Sequence, residues 1–236
     1  MIVTRADLPG NEDVHSFAAR VGADVVELST VSRGQAESAL AGLRRIRGVG
    51  PVTIGACDAI PTISRADFDA AVAAAGPDGV VPWVAWNLHA AHRRPEQYGW
   101  ITGRPNISSV TIKGVPEGPG PGVMIGTFTF ASAASAISQI EALIDDDERV
   151  NGEYYLDSLV RRAVADGRGA VALGTTTFAS LGTPSEYEAV LYWQSCFHKW
   201  ALHPYSLSAD PLVPRLARAD LDSQFRRWPR EATEGI

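Results

Sequence analysis

The stretch "ADVVELSTVSRGQAESALAGLRRI", residues 23–46, reads as strand, polar turn and helix in quick succession. Ala23–Leu28 has the β-branched, apolar character of a strand. From Gly34 to Ile46, Ala36, Ala39, Leu40, Leu43 and Ile46 recur at helical spacing and make one apolar stripe. The same alternation extends on both sides. Met1–Thr4 reads as a strand, and Asn11–Val21 as a helix with Asn11 as its cap and Val14, Phe17 and Ala18 on one face. Pro51–Ala56 reads as a buried strand ending at Cys57-Asp58. Ser64 caps a helix through Ala75, and Asp78–Ala85 is a further strand entered by a Pro-Asp-Gly turn. Strands alternating with helices imply an α/β domain, with a mostly parallel sheet and helices on both faces.

The middle of the chain changes character. Tyr98–Thr102, Ser108–Lys113 and Val123–Phe130 are strand-like with no helix between them, so an antiparallel or mixed portion is expected. "GVPEGPGPG", residues 114–122, can only be a loop. Helices are predicted over Ser132–Leu143, Glu153–Ala165 and Pro184–Trp200, with a strand over Arg168–Gly174. The expected division is an α/β domain over residues 1–205 and a tail over 206–236, a strap or a partly disordered segment.

The chain has 236 residues, enough for one sizeable α/β domain. A net charge of −6 offers no general field for nucleic acid or a membrane surface, so neither is expected as a partner. Two cysteines, Cys57 and Cys196, make neither a disulfide framework nor a zinc site. No apolar run approaches a membrane span and the N-terminus lacks a signal-peptide layout, so a cytoplasmic location is expected. Only Lys113 and Lys199 are lysines.

Several residues can carry chemistry, each beside a plainer role. Gly34 opens a helix whose N–H groups can meet a carbonyl or an anion; a simple polar helix start is the alternative. Gln35 offers an amide suited to a base edge. Asp58 ends a strand, where open α/β sheets bind ligands, and can hold Mg²⁺ or merely form a turn. Lys113 precedes the glycine-rich loop and can meet a phosphate or stay in solvent. Gly126 inside a strand marks close approach by a ligand or another backbone. Glu153 in the first turn of a helix suits the helix dipole or sugar hydroxyls. Thr183 or Pro184 starts the last helix, whose aromatic residues are a candidate surface for self-association.

The order of these motifs carries more than any one of them. "SRGQAES", "IGACD", "IKG", "MIGTFTF", "NGEYYLDSLV" and "LGTP" follow one another as in the sugar-1-phosphate nucleotidyltransferases, and the resemblance runs from about Val25 to Trp193. It implies the Rossmann-like fold of nucleotide-diphospho-sugar transferases. It implies a substrate pair, nucleoside triphosphate and sugar 1-phosphate, with Mg²⁺ as cofactor and pyrophosphate released by in-line attack on the α-phosphate. Ser32, Gly34, Gln35 and Glu37 fall where that family positions the nucleotide. Asp58 matches its metal-holding aspartate. Gly126, Glu153 and Thr183 match its sugar side. Lys113 resembles its sugar-phosphate lysine, although Ile112 and Gly114 flank it in place of glutamate and proline.

Two departures accompany the match. The family's first strand and glycine-rich triphosphate loop have no counterpart before Met1, so the chain reads as N-terminally incomplete or as a reduced relative. Ser180 stands near the place of a second metal-holding aspartate. The alternatives are therefore a transferase or a catalytically impaired sugar-nucleotide-binding relative. A metal-dependent glycosyltransferase ranks last, because "CDAIP" lacks a paired carboxylate.

Overall fold

The computed structural model describes residues 1–86, 88–116, 118–200, 202–206 and 209. Apart from Ser206 and Ala209, the expected tail lies outside these residues. The chain divides into two compact units: Met1–Cys57 with Pro61–Thr177, and Asp58–Ile60 with Phe178–Ile236.

The larger unit opens with β1 (Ile2–Arg5), α1 (Asn11–Val21) and β2 (Val25–Leu28). β1 and β2 form a parallel pair of their own, Ile2 opposite Val25. Asn11 does not cap α1. Gly10, at φ +79°, takes the N-cap, and the Asn11 amide joins Thr4 and Glu27 instead. α2 (Gln35–Leu43) then leads to β3 (Val52–Ile54), β4 (Ala59–Thr62) and α3 (Arg65–Ala75). Ser64 caps α3, accepting from the Asp67 N–H at 3.4 Å. The remaining strands of the unit are β5 (Val80–Trp86), β6 (Gly99–Thr102), β7 (Ser109–Ile112), β8 (Gly122–Phe130) and the short β9 (Leu173–Gly174), with helices α4 (Ala133–Asp145) and α5 (Asp157–Ala165). β10 (Thr177–Ser180) pairs with β4 as a two-stranded ribbon.

β8 organises the main sheet. β5 runs antiparallel along it, from Val80 opposite Phe130 to Trp86 opposite Gly122. The second edge of β8 is shared: β6 pairs at Gly122–Met124, and β3 pairs at Phe128–Phe130. The break between these partners falls at Gly126, whose φ is +75°. The expected mixed sheet is present, but it is mostly antiparallel rather than mostly parallel: β3, β5 and β6 run antiparallel to β8 and β7 antiparallel to β6, and only the short β9 lies parallel, beside β5.

β3 is shorter and more exposed than a buried strand over Pro51–Ala56. Only Val52, Thr53 and Ile54 join the ladder, Thr53 is exposed, and β3 has a single partner. An edge strand buries less of its surface than a central one. β4 and β10 were not legible as strands: each is four residues long, and Pro61 interrupts the apolar pattern of the first.

Apolar residues on both faces of β5 explain why it reads as an unbroken apolar run. Val80 and Val84 join the main core with Leu40, Phe128, Ile140 and Leu159 from α2, β8, α4 and α5. Val81 and Trp83 face a second cluster with Ala71 and Ala75 of α3. Helices thus cover both faces of the sheet. Thr129 is a fully buried polar residue of β8: its hydroxyl accepts from the Trp83 indole N–H at 3.0 Å and lies 2.8 Å from the Thr53 hydroxyl.

In the smaller unit Thr183 begins α6 (Pro184–Lys199), accepting from the Glu186 N–H at 3.3 Å and donating to the Glu186 carboxylate at 2.9 Å. This Thr-Pro-Ser-Glu sequence is a capping box with proline in the first turn. Trp193, Phe197 and His203 stack successively at its far end.

Replacing Thr129 by the isosteric valine strands the Trp83 indole N–H and one hydroxyl. The expected cost is about 1–3 kcal/mol. Urea unfolding measures it, and a difference below about 0.5 kcal/mol would show that the pair contributes nothing.

Candidate active site

The site grows outward from the polar turn between β2 and α2. Gly34 has φ +126° and an extended ψ. A Cβ there would stand 2.6 Å from the carbonyl oxygen of Tyr154 and 2.7 Å from its nitrogen, so only glycine lets the two backbones meet. They are joined by two hydrogen bonds: Tyr154 N–H donates to Arg33 O at 2.8 Å, and Ala36 N–H donates to Tyr154 O at 3.0 Å.

This clamp also corrects one expectation. Glu153 is not in the first turn of a helix. α5 begins at Asp157, and Glu153 forms an isolated bridge with Val150, exchanging backbone bonds of 2.9 and 3.0 Å. The Tyr154 backbone is already committed to Arg33 and Ala36, which holds the chain extended. The exposed Glu153 carboxylate is thus placed by a turn, and the helix dipole favours Asp157 instead.

Side chains then secure α2. Glu37, in its first turn, accepts from the Arg33 N–H at 2.5 Å and pairs with the Arg33 guanidinium at 2.8 Å. Those bonds hold its carboxyl below the usual range. Ser32 Oγ lies 2.6 Å from Ser38 Oγ and donates to Gly34 O at 3.2 Å. Gln35 Nε2 donates to Gly126 O at 2.9 Å. That carbonyl is turned toward α2 at the position where β3 and β6 part. A Cβ on Gly126 would meet that of Ala56 at 2.9 Å, so the strand glycine allows both the positive φ and the approach of the segment after β3.

On the far side of the clamp, Tyr154 is buried and its hydroxyl donates to Asp147 at 2.5 Å. Arg33 and Arg149 lie over its ring at 5.2 and 5.0 Å. The neighbouring Tyr155 approaches Lys113, whose Nζ is 4.9 Å from the ring centroid. Burial and the Glu153 carboxylate push the Tyr155 phenol up to about 12. Lys113 follows β7 with φ +53°; its N–H donates to Tyr98 O at 2.9 Å and its Nζ to Gln97 O at 2.5 Å. Asp157, 8% exposed, was not anticipated from the sequence. Burial raises its carboxyl to about 6, and Lys113 opposes that rise. The signal available in sequence was an acid in the otherwise apolar run Leu156–Val160.

The larger unit therefore brings Ser32, Gly34, Gln35, Glu37, Lys113, Gly126 and Glu153 into one linked neighbourhood. Asp58 and Thr183 belong to the smaller unit. There Asp58 is exposed, its carbonyl accepts from the Leu181 N–H at 2.7 Å, and its Oδ2 lies 3.0 Å from where a Gly182 Cβ would be. The Ser180 hydroxyl borders the same Gly182 position at 3.7 Å. One carboxylate beside one hydroxyl suits a Mg²⁺ that keeps waters and takes phosphate oxygens, rather than a cage made by protein alone. Among the described residues no group of three or more His, Cys, Asp or Glu side chains is placed to hold a metal. Nor is any described helix long and apolar enough to cross a membrane. Both cysteines are free, and Cys57 is exposed.

This architecture is the Rossmann-like fold of the nucleotide-sugar nucleotidyltransferases. A nucleoside-diphosphate-sugar pyrophosphorylase from Vibrio cholerae RC9 superposes with a TM-score of 0.59 at 15% identity, covering 79% of this chain and 78% of that one. The inositol-1-phosphate CTP transferase of T. maritima gives 0.53 at 13% identity, over 78% and 70% of the two chains. A Bacillus anthracis protein assigned to glucose-1-phosphate thymidylyl transfer, solved with sucrose, gives 0.60 at 14% identity over 80% and 73%. No family model matches the chain, and no curated protein matches it in sequence.

Two outcomes test this neighbourhood. Gly34→Ala forces a methyl group into the Tyr154 backbone and is expected to cost about 2–3 kcal/mol, measured by chemical unfolding. Asp157 holds its proton more tightly folded than unfolded, so stability falls as pH rises from about 4 to about 6 and then levels. The fall is on the order of 2–3 kcal/mol. Melting curves across that interval check it, and Asp157→Asn should abolish the fall.

Proposed function

We propose that the protein transfers a nucleotidyl group from a nucleoside triphosphate to a sugar 1-phosphate, releasing pyrophosphate. The observation that carries this reading is the clamp of Gly34 on Tyr154. It sets the Ser32–Glu37 turn, Gly126 and Glu153 side by side on the fold of the nucleotide-sugar pyrophosphorylases. The open Gln35 Oε1 and the turn around Ser32 receive the nucleotide. The Gly126 backbone and the Glu153 carboxylate take the sugar, and Lys113 takes its phosphate. A Mg²⁺ held through Asp58 would neutralise charge on the triphosphate. No covalent intermediate is required: a phosphate oxygen of the sugar attacks the α-phosphorus, and the bond from that phosphorus to the bridging oxygen of pyrophosphate breaks.

A second reading is a sugar-nucleotide-binding relative of low activity. What favours it is Ser180, a neutral hydroxyl, rather than a second acid beside Asp58.

Purified protein should be incubated with Mg²⁺, glucose 1-phosphate or other sugar 1-phosphates and each nucleoside triphosphate, following pyrophosphate. Release with one substrate pair supports the transferase, and Asp58→Asn should lower it by about 100-fold. No release with any pair, together with a raised melting temperature in a sugar nucleotide, favours the second reading. Neither release nor a melting shift overturns both.

A further inference from the structure

We propose that α6 docks, antiparallel and about a two-fold axis, against α6 of a second copy of this chain. The helix carries a seam. Glu186, Val190, Trp193, Phe197 and Trp200 follow one another at intervals of four, three, four and three residues, the spacing that keeps one face of a helix turned toward a neighbouring helix. Its three aromatic members are exposed: Trp193 by 49%, Phe197 by 37% and Trp200 by 55%. The fully buried Ser195 lies on the opposite face, so the seam is not the side by which α6 packs within its own chain. The row is also ordered in advance. Trp193 stacks on Phe197 with ring centroids 5.9 Å apart, Phe197 on His203 at 4.6 Å, and Trp200 on His203 at 5.6 Å. Rings already held against one another lose little rotamer freedom on docking.

The pattern along the seam identifies the partner. It begins at an acid, Glu186, is aromatic through its middle, and ends just beyond the helix at His203. The Thr183 hydroxyl engages one oxygen of the Glu186 carboxylate, Oε2, so Oε1 is the one turned to a further donor. His203 Nδ1 accepts from the Tyr205 N–H at 3.2 Å, which makes Nε2 the N–H donor of that ring. Glu186 and His203 are about 25 Å apart along the helix axis and cannot meet within one chain. Two copies set antiparallel about the midpoint of the seam bring Trp193 of each beside Phe197 of the other, and Glu186 of each beside His203 of the other. Opposed helix dipoles favour the same arrangement, whereas a parallel pair would set Glu186 against Glu186. Three half-exposed aromatic side chains supply roughly 300 Å² per copy, below the ~800 Å² per partner of a standard interface, so the pair is weak and reversible.

Sedimentation equilibrium of the full chain from about 10 μM to about 1 mM should show a reversible monomer–dimer equilibrium, the range in which so small an interface holds. Trp193→Glu should weaken it by about tenfold or more while the circular dichroism of the unaltered chain is retained. Exchange of charge tests the orientation. Glu186→Lys and His203→Glu should each weaken dimerisation about three- to tenfold, and the two together, which again set opposite charges face to face in an antiparallel pair, should return it to within about twofold of the unaltered chain. No recovery in the double variant overturns the proposal. So does dimerisation that Trp193→Glu leaves intact, which would put the contact elsewhere on the chain. A protein that stays monomeric throughout overturns it as well, and slow alkylation of Phe197→Cys in that monomer would assign the covering of the seam to residues 210–236 of the same chain.

Discussion

The structure depends on one divided edge. β8 gives its first edge to β5, with an irregularity between Pro82 and Val84, and its second edge passes from β6 to β3 at Gly126. A continuous partner would bury every peptide group of β8 in a ladder. Instead the Gly126 carbonyl is free to take a bond from Gln35, and this ties the N-terminal turn of α2 to the centre of the sheet. The break requires a residue at φ +75° with no side chain where the segment after β3 passes, and glycine meets both demands. Ladder hydrogen bonds forgone at that point open the sheet where a ligand can approach.

A second backbone meeting, Gly34 against Tyr154, lies beside that opening. It couples α2 to the segment leading into α5 through peptide groups alone, so its geometry does not rely on long side chains. The surrounding charges reinforce it. Arg33 and Glu37 close on each other, and Tyr154, Asp147 and Arg149 complete a chain of paired groups. These pairs are largely exposed and contribute modestly to stability. Their effect is on shape: they fix the polar turn and the Glu153 bridge without demanding a helix there.

The alternation of strand and helix through residue 86 was legible because α2 and α3 each bury a periodic apolar face while β2 and β5 are short runs of β-branched and apolar residues. The order of the short motifs led to the correct fold, even where single motifs admitted plainer roles. What escaped was set by tertiary contact. The run after Asn151 has the composition of a helix start, yet the Tyr154 peptide is claimed by Arg33 and Ala36, and the helix begins later. β3 looks buried by composition, but pairing on one side leaves Thr53 exposed. Asp157 could be seen as an acid in an apolar run; its seat against Gly99 could not, since the two are 58 positions apart in the sequence.

Charge balance gives the site its particular character. The proposed substrates, a triphosphate and a sugar phosphate, would bring several negative charges, and the protein as a whole carries −6. The arginines of the linked neighbourhood are already answered, Arg33 by Glu37 and Arg149 by Asp147, and the Lys113 ammonium donates to the Gln97 carbonyl. Such a neighbourhood has little net positive field with which to gather phosphates from a distance. In the proposed reaction, recognition at close range would rest on directed groups: backbone N–H donors and a divalent cation brought with the nucleotide. This places the cation at the centre of the proposed chemistry. A Mg²⁺ bound chiefly by phosphate oxygens needs few protein acids, and its charge would travel with the substrate that requires it.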